Sequence, residues 1–169
     1  MDTPQASEAV ADRSPLGRSD AAVLRSGPVE WAVQAVLALA AWAVLAVAFW
    51  LQPSGQGLGT HEQMGLQPCP FHQTSGLPCP SCGMTTAFAL MAHGRVVAAV
   101  VAQPFGVVLF VLDVAAALLL TVSLVRGRSL LPRLYSLRIP WMISGLILLW
   151  LAGWGFKILY GAVTGGYGL

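Results

Sequence analysis

Three long apolar runs divide the chain, and a shorter, broken pattern lies between the first two. Residues 31–51 and 105–125 each run for 21 residues, the first without a charge and the second with Asp113 alone. A third run covers 139–158. At 1.5 Å per residue each reaches about 30 Å, the thickness of a hydrocarbon core. The pattern therefore predicts membrane spans over 29–51, 104–125 and 139–160. Between the first two, residues 52–80 are rich in proline and glycine and predict an irregular, aqueous loop. Residues 81–93 then carry helix formers without proline or charge and are closed by Gly94, a residue suited to end a helix. Thirteen residues reach only about 20 Å, so this helix, with a second short piece before Pro104 within 81–102, lies in the interface or re-enters on one side. The expected fold is an all-α integral membrane protein, with three transmembrane helices plus a short interfacial or re-entrant helix after a Cys/Pro-rich loop.

The remaining segments read as polar ends. Residues 1–28 have no apolar period and are broken by Pro4 and Pro15, which predicts a disordered tail. Residues 126–138 form an arginine-rich connector, and 161–169 a loose glycine-rich tail. Composition agrees with lipid as the solvent: 56% of residues are hydrophobic and 9% charged, where soluble domains carry about a quarter charged. A net charge of +2, without a basic run interleaved with aromatics, excludes nucleic acid as a partner. The lipid bilayer is the expected partner, and a membrane protein partner or a second copy stays open.

Arginines set the orientation. Arg13, Arg18 and Arg25 precede the first run, and Arg126, Arg128, Arg133 and Arg138 join the last two, whereas residues 52–80 contain no lysine or arginine. The positive-inside rule then makes the amino terminus cytoplasmic and the cysteine loop extracytoplasmic in the cell membrane. Trp31, Trp50, Trp141, Trp154 and Tyr160 suit the headgroup layers, with Lys157 near the far end of the third run.

All the candidate chemistry gathers in one stretch. Cys69-Pro-Phe-His72, six residues, then Cys79-Pro-Ser-Cys82 gives the spacing C-x2-H-x6-C-x2-C. Cys69, His72, Cys79 and Cys82 form two tight pairs that suit a tetrahedral zinc. Cys79 and Cys82 alternatively form a redox pair where a helix starting near Ser81 favours the Cys79 thiolate, with Cys69 exchanging the disulfide. A third reading is structural: prolines at 68, 70, 78 and 80 specify a rigid turn that serves assembly or recognition, with the cysteines as staple or packing. The residues leave these three open, and with them whether the protein is an enzyme. His61 and His93 carry weaker signals.

The same stretch, Cys69-Pro-Phe followed by Thr74-Ser-Gly-Leu-Pro-Cys-Pro-Ser-Cys-Gly-Met-Thr85, resembles domain of unknown function 2752, a family of small, mainly bacterial integral membrane proteins. The resemblance runs from about Gly59 to Leu120 and implies a membrane protein with a shared cysteine turn and no settled activity. Thr86 stands where the family often has arginine, and Gln103-Pro104 where it often has Asn-Pro.

Outside this stretch, Asp113 falls near mid-bilayer, where an ionised carboxylate costs about 2.5–3.5 kcal/mol. Trp150, at a similar depth in the third run, is one candidate donor to it and Lys157 a more distant one, the alternative being a protonated acid; the expected role is helix packing rather than a proton relay. Thr85 and Thr86 are expected to bond back to their own helix or to face the cysteine loop. Gly145, Ala152 and Gly153 give the third run a small face for close helix contact.

Overall fold

The computed structural model describes residues 27–127 and 139–166. The amino-terminal tail and most of the arginine connector, read above from sequence, lie outside the described residues. Among those described the protein is all-helical. Helix α1 covers Pro28–Trp50, α2 Pro70–Ser75, α3 Met84–Ala92, α4 Val96–Ala102, α5 Pro104–Val125 and α6 Ile139–Thr164. Helices α1, α5 and α6 are long and apolar enough to cross a membrane.

Proline opens α1, α2 and α5 near their first positions, where its missing N–H costs nothing and its fixed φ fits the helix. The spans bury little: Leu39, Val111, Leu119 and Leu148 are among many large apolar side chains left exposed, as lipid-facing surface requires. α1 packs along α5 through small side chains, with Ala38, Ala41, Ala48 and Ala117 buried. Two polar contacts join the pair: Ser123 Oγ donates to Gln34 Oε1 at 3.0 Å and Trp42 Nε1 to Thr121 Oγ1 at 3.1 Å.

α3 and α4 fold back on each other around Ala87, Leu90, Ala99 and Ala102. This hairpin lies against the start of α5, where a Cβ on Gly106 would stand 2.8 Å from that of Ala87. Phe88 meets Phe110 edge to face, and Phe49 of α1 stacks on His93 at 5.4 Å between ring centroids. α6 comes close at Gly153, where a Cβ would lie 3.3 Å from Phe105 Cβ. Of the small face expected on the third run, Gly153 makes this contact, whereas Gly145 faces open space.

Three local expectations are corrected. The loop over 52–80 is not wholly irregular: it holds a 3-10 turn at Thr60–Met64 and the helix α2, which Gly76 ends in the left-handed conformation. The helix expected from Ser81 begins at Met84, because two overlapping turns precede it, Cys82 N to Cys79 O and Met84 N to Ser81 O. The third span continues as helix to Thr164, past the glycine-rich tail read from 161 onward.

Candidate functional site

The two turns before α3 decide where the sulfurs go. Pro80 occupies the second position of the Cys79–Cys82 turn, where its ring pre-sets φ, and Gly83 follows at φ +87°, a conformation side chains disfavour. Cys69 caps α2 on the far side of the loop. Folding the loop back brings the three sulfurs together, all within 4.8 Å of one another. Cys79 Sγ and Cys82 Sγ are 2.8 Å apart and all three cysteines are free thiols. A disulfide needs about 2.05 Å, so a small closure of two side chains would join this pair.

The environment separates the thiols. The His72 amide beside its sulfur holds Cys69 below the ordinary thiol value, against a smaller opposing effect of burial. Burial pushes the Cys82 thiol up to about 12, helped by its neighbours Cys79 and Cys69. The helix expected to start beside Cys79 begins five residues after it, at Met84. Cys69, facing the first amides of α2, takes that position instead.

His72 does not join the sulfurs: the group close enough to share an ion among the described residues is Cys69, Cys79 and Cys82. Its Nδ1 is buried without a hydrogen-bond partner. His61 Nε2 meets Gln67 O at 3.3 Å and His93 Nδ1 meets Ala89 O at 2.7 Å, both local contacts away from the cysteines. Thr86 is fully buried and pairs with Thr60 at 2.8 Å, and Thr60 Oγ1 accepts from Ser54 N at 3.1 Å. Of the two options for the threonines, Thr86 therefore faces the loop and fastens it to α3.

The largest departure from sequence reasoning comes from α6. Trp154 Nε1 donates to Pro78 O at 2.9 Å, Trp150 Nε1 to Pro80 O at 3.2 Å, and Lys157 Nζ to Cys82 O at 3.2 Å and Ala102 O at 2.7 Å. Positions 150, 154 and 157 follow the i, i+4, i+7 spacing of one helix face. Gln103 Nε2 adds a second donor to Pro80 O at 2.9 Å. The Pro78, Pro80 and Cys82 carbonyls are thus all satisfied by side chains, and the turn lies against residues 150–157 of α6. Trp150 is not the donor to Asp113, whose Oδ2 is buried without a partner among the described residues. Trp154 thus spends its indole N–H on the turn, and Lys157, near the far end of the run, is 2% exposed. Gly83 makes room for it, since a Cβ there would stand 2.5 Å from Nζ and 2.9 Å from Ala102 O. The repeat of hydrogen-bond donors along 150, 154 and 157 was the sequence signal for this clamp.

Residues 69–119 match the model of a family described as protein of unknown function (DUF2752). The cysteine turn lies inside this match. Comparisons with curated proteins and with solved structures give no match. The DUF2752 match takes in α2, the three cysteines, the α3–α4 hairpin and most of α5, and stops before α6. The three clamp residues of α6 therefore lie beyond the DUF2752 match. An apolar groove of about 380 Å³ beside the DUF2752 segment, lined by Val47, Leu51, Met84 and Phe88, brings no polar chemistry to the sulfurs.

Proposed function

We propose that the cysteine turn is a membrane-held thiol–disulfide exchange site, with Cys79 and Cys82 as the disulfide-forming pair and Cys69 as the thiol that meets the partner. The observation that carries this reading is the approach of the three sulfurs, with Cys79 Sγ 2.8 Å from Cys82 Sγ and Cys69 within 4.8 Å of both. The Cys69 thiolate attacks one sulfur of a disulfide-bearing substrate. That S–S bond breaks, a mixed disulfide forms, and the departing thiolate takes a proton from water. Cys79 then attacks the Cys69 sulfur, releasing the second substrate thiol, and Cys82 displaces Cys69 to close the Cys79–Cys82 bond. Two electrons pass from the protein dithiol to the substrate disulfide, and the reverse sequence oxidises a substrate dithiol. A thiol near 12 attacks and leaves slowly at neutral pH, which makes Cys82 the protected end of the pair.

The arginine pattern supports a site on the side opposite the cytoplasmic tail and connector, where oxidising conditions sustain disulfides. The assembly role read from the turn persists within the chain itself, because the turn carbonyls seat α6. The test is peptide mapping of protein purified without reductant and alkylated at once. One disulfide between Cys79 and Cys82 and a free Cys69 are expected, with Cys69→Ser keeping the bond but losing exchange with glutathione disulfide. Three alkylated thiols after equilibration in an oxidising glutathione buffer would overturn the reading.

A further inference from the structure

Lys157 poses a charge problem that the exchange reaction does not use. Its Nζ is buried on the Cys82 and Ala102 carbonyls, and no carboxylate pairs with it among the described residues. A buried charge needs compensation. The ionisable groups beside it are on the turn that its Nζ touches, Cys82 and Cys79, which offset its charge only as thiolates and are grouped with Cys69.

Three thiolates around a divalent cation carry a net charge of −1, which one ammonium cancels. Four would leave an excess that no second buried cation balances among the described residues. Geometry agrees with three ligands. Tetrahedral zinc holds its sulfurs about 2.3 Å away and so about 3.8 Å from each other. The triad brackets that spacing, at 2.8 Å for Cys79–Cys82 and within 4.8 Å overall, so side-chain rotation alone can form the cage. All three sulfurs sit on half-buried residues.

We propose that the reduced Cys69–Cys79–Cys82 triad binds one thiophilic divalent cation of the zinc type, with Lys157 as the balancing charge behind the turn. The fourth position stays open, since His72 stands outside the triad. Closing the Cys79–Cys82 bond removes two of three ligands and releases the ion unchanged in valence, while the two electrons go to the incoming disulfide. Binding stands on the triad alone; release by oxidation rests on the exchange reading.

The experiment uses the full chain in lipid nanodiscs, reduced with a phosphine, with Co2+ as the probe. One Co2+ per chain with a thiolate-to-cobalt charge-transfer band, displaced by Zn2+, is expected. Cys69→Ser should abolish the band with helical circular dichroism unchanged, and Lys157→Met should weaken binding by about tenfold or more, the scale seen when a group supporting a ligand is lost. A stoichiometric band that survives Cys69→Ser, or absorption without the charge-transfer band, means an adventitious ion only and overturns the proposal. Metal binding without glutathione exchange would sink the exchange reading and leave this one standing. Exchange without metal binding would do the opposite.

Discussion

α1 and α6 are both membrane helices of ordinary composition, yet they are held by opposite means. α1 lies along α5 through alanines, with one Gln34–Ser123 and one Trp42–Thr121 contact. α6 touches α5 closely at Gly153 and otherwise grips the backbone of a turn with two indoles and an ammonium. The difference follows from what each faces. A helix satisfies its own backbone, so small side chains and dispersion suffice between two of them. An irregular turn against a membrane helix leaves carbonyls unpaired, and in lipid these must find donors within the protein. α6 is the element that supplies them.

The largest expected effect tests whether the turn is covered as described. At pH 8, a thiol whose pKa is about 12 is thiolate in roughly one molecule in ten thousand, against about one in ten near 9. Iodoacetamide should therefore modify Cys69 first and Cys82 last, by up to about a thousandfold in thiolate availability. Cys69 alkylation should level off at lower pH, whereas that of Cys82 should keep climbing with pH into the strongly alkaline range. Equal rates followed by mass spectrometry would mean that α6 does not cover the turn.

Lys157→Met comes next. It leaves the Cys82 and Ala102 carbonyls without their donor, at about 1–3 kcal/mol each. Thermal unfolding in detergent should drop accordingly, and Cys82 alkylation should accelerate as the turn opens. Gly83→Ala should act on the same contact from the other side. A residue forced to φ +87° with its Cβ 2.5 Å from Lys157 Nζ costs on the order of 1–3 kcal/mol. Combined with Lys157→Met, the loss should be less than additive, because both break one arrangement.

These contacts also mark where sequence reading stops. The spans were legible because run length and hydropathy need no knowledge of neighbours. So was the motif, whose paired prolines and cysteines announce a turn. The helix start was misplaced because the run from Ser81 onward lacks proline and charge, whereas Gly83 takes the left-handed conformation and delays the helix to Met84. The contacts of Lys157 and Trp154 with the turn were missed for a deeper reason. A tryptophan or lysine toward the end of an apolar run has a sufficient explanation in the headgroup layer, and only the position of the Pro78 and Cys82 carbonyls reveals the contact. Likewise, Cys69 was ranked behind Cys79 because the amides that favour its thiolate belong to α2, a helix hidden in a proline-rich stretch.

Trp154→Phe should cost less than either change at Lys157. It keeps the ring and removes one N–H donor, so about 1 kcal/mol is expected, measured by the same unfolding assay. Thr121→Ala, which removes the corresponding acceptor in the α1–α5 pair, provides the comparison. If Trp154→Phe matches it in stability but alone speeds Cys82 alkylation, the clamp acts on the turn. If neither changes alkylation, the indole contributes only packing.

The smallest effect is expected at Asp113, the one charged residue within α5. Its nearer candidate partner, Trp150, instead donates to Pro80 O at 3.2 Å, and Asp113 Oδ2 meets no donor among the described residues. Removing the acid therefore breaks no contact on that oxygen. Asp113→Asn should shift unfolding by less than about 0.5 kcal/mol, the range of substitutions away from structural features, and leave the alkylation order of the cysteines unchanged. A large loss would mean that Asp113 takes a partner from outside this chain, since nothing on α6 is left to donate to it once Trp150 is committed to the turn. The α1–α5 pair would then depend on an assembled state, whereas the α6 clamp would be complete in a single copy.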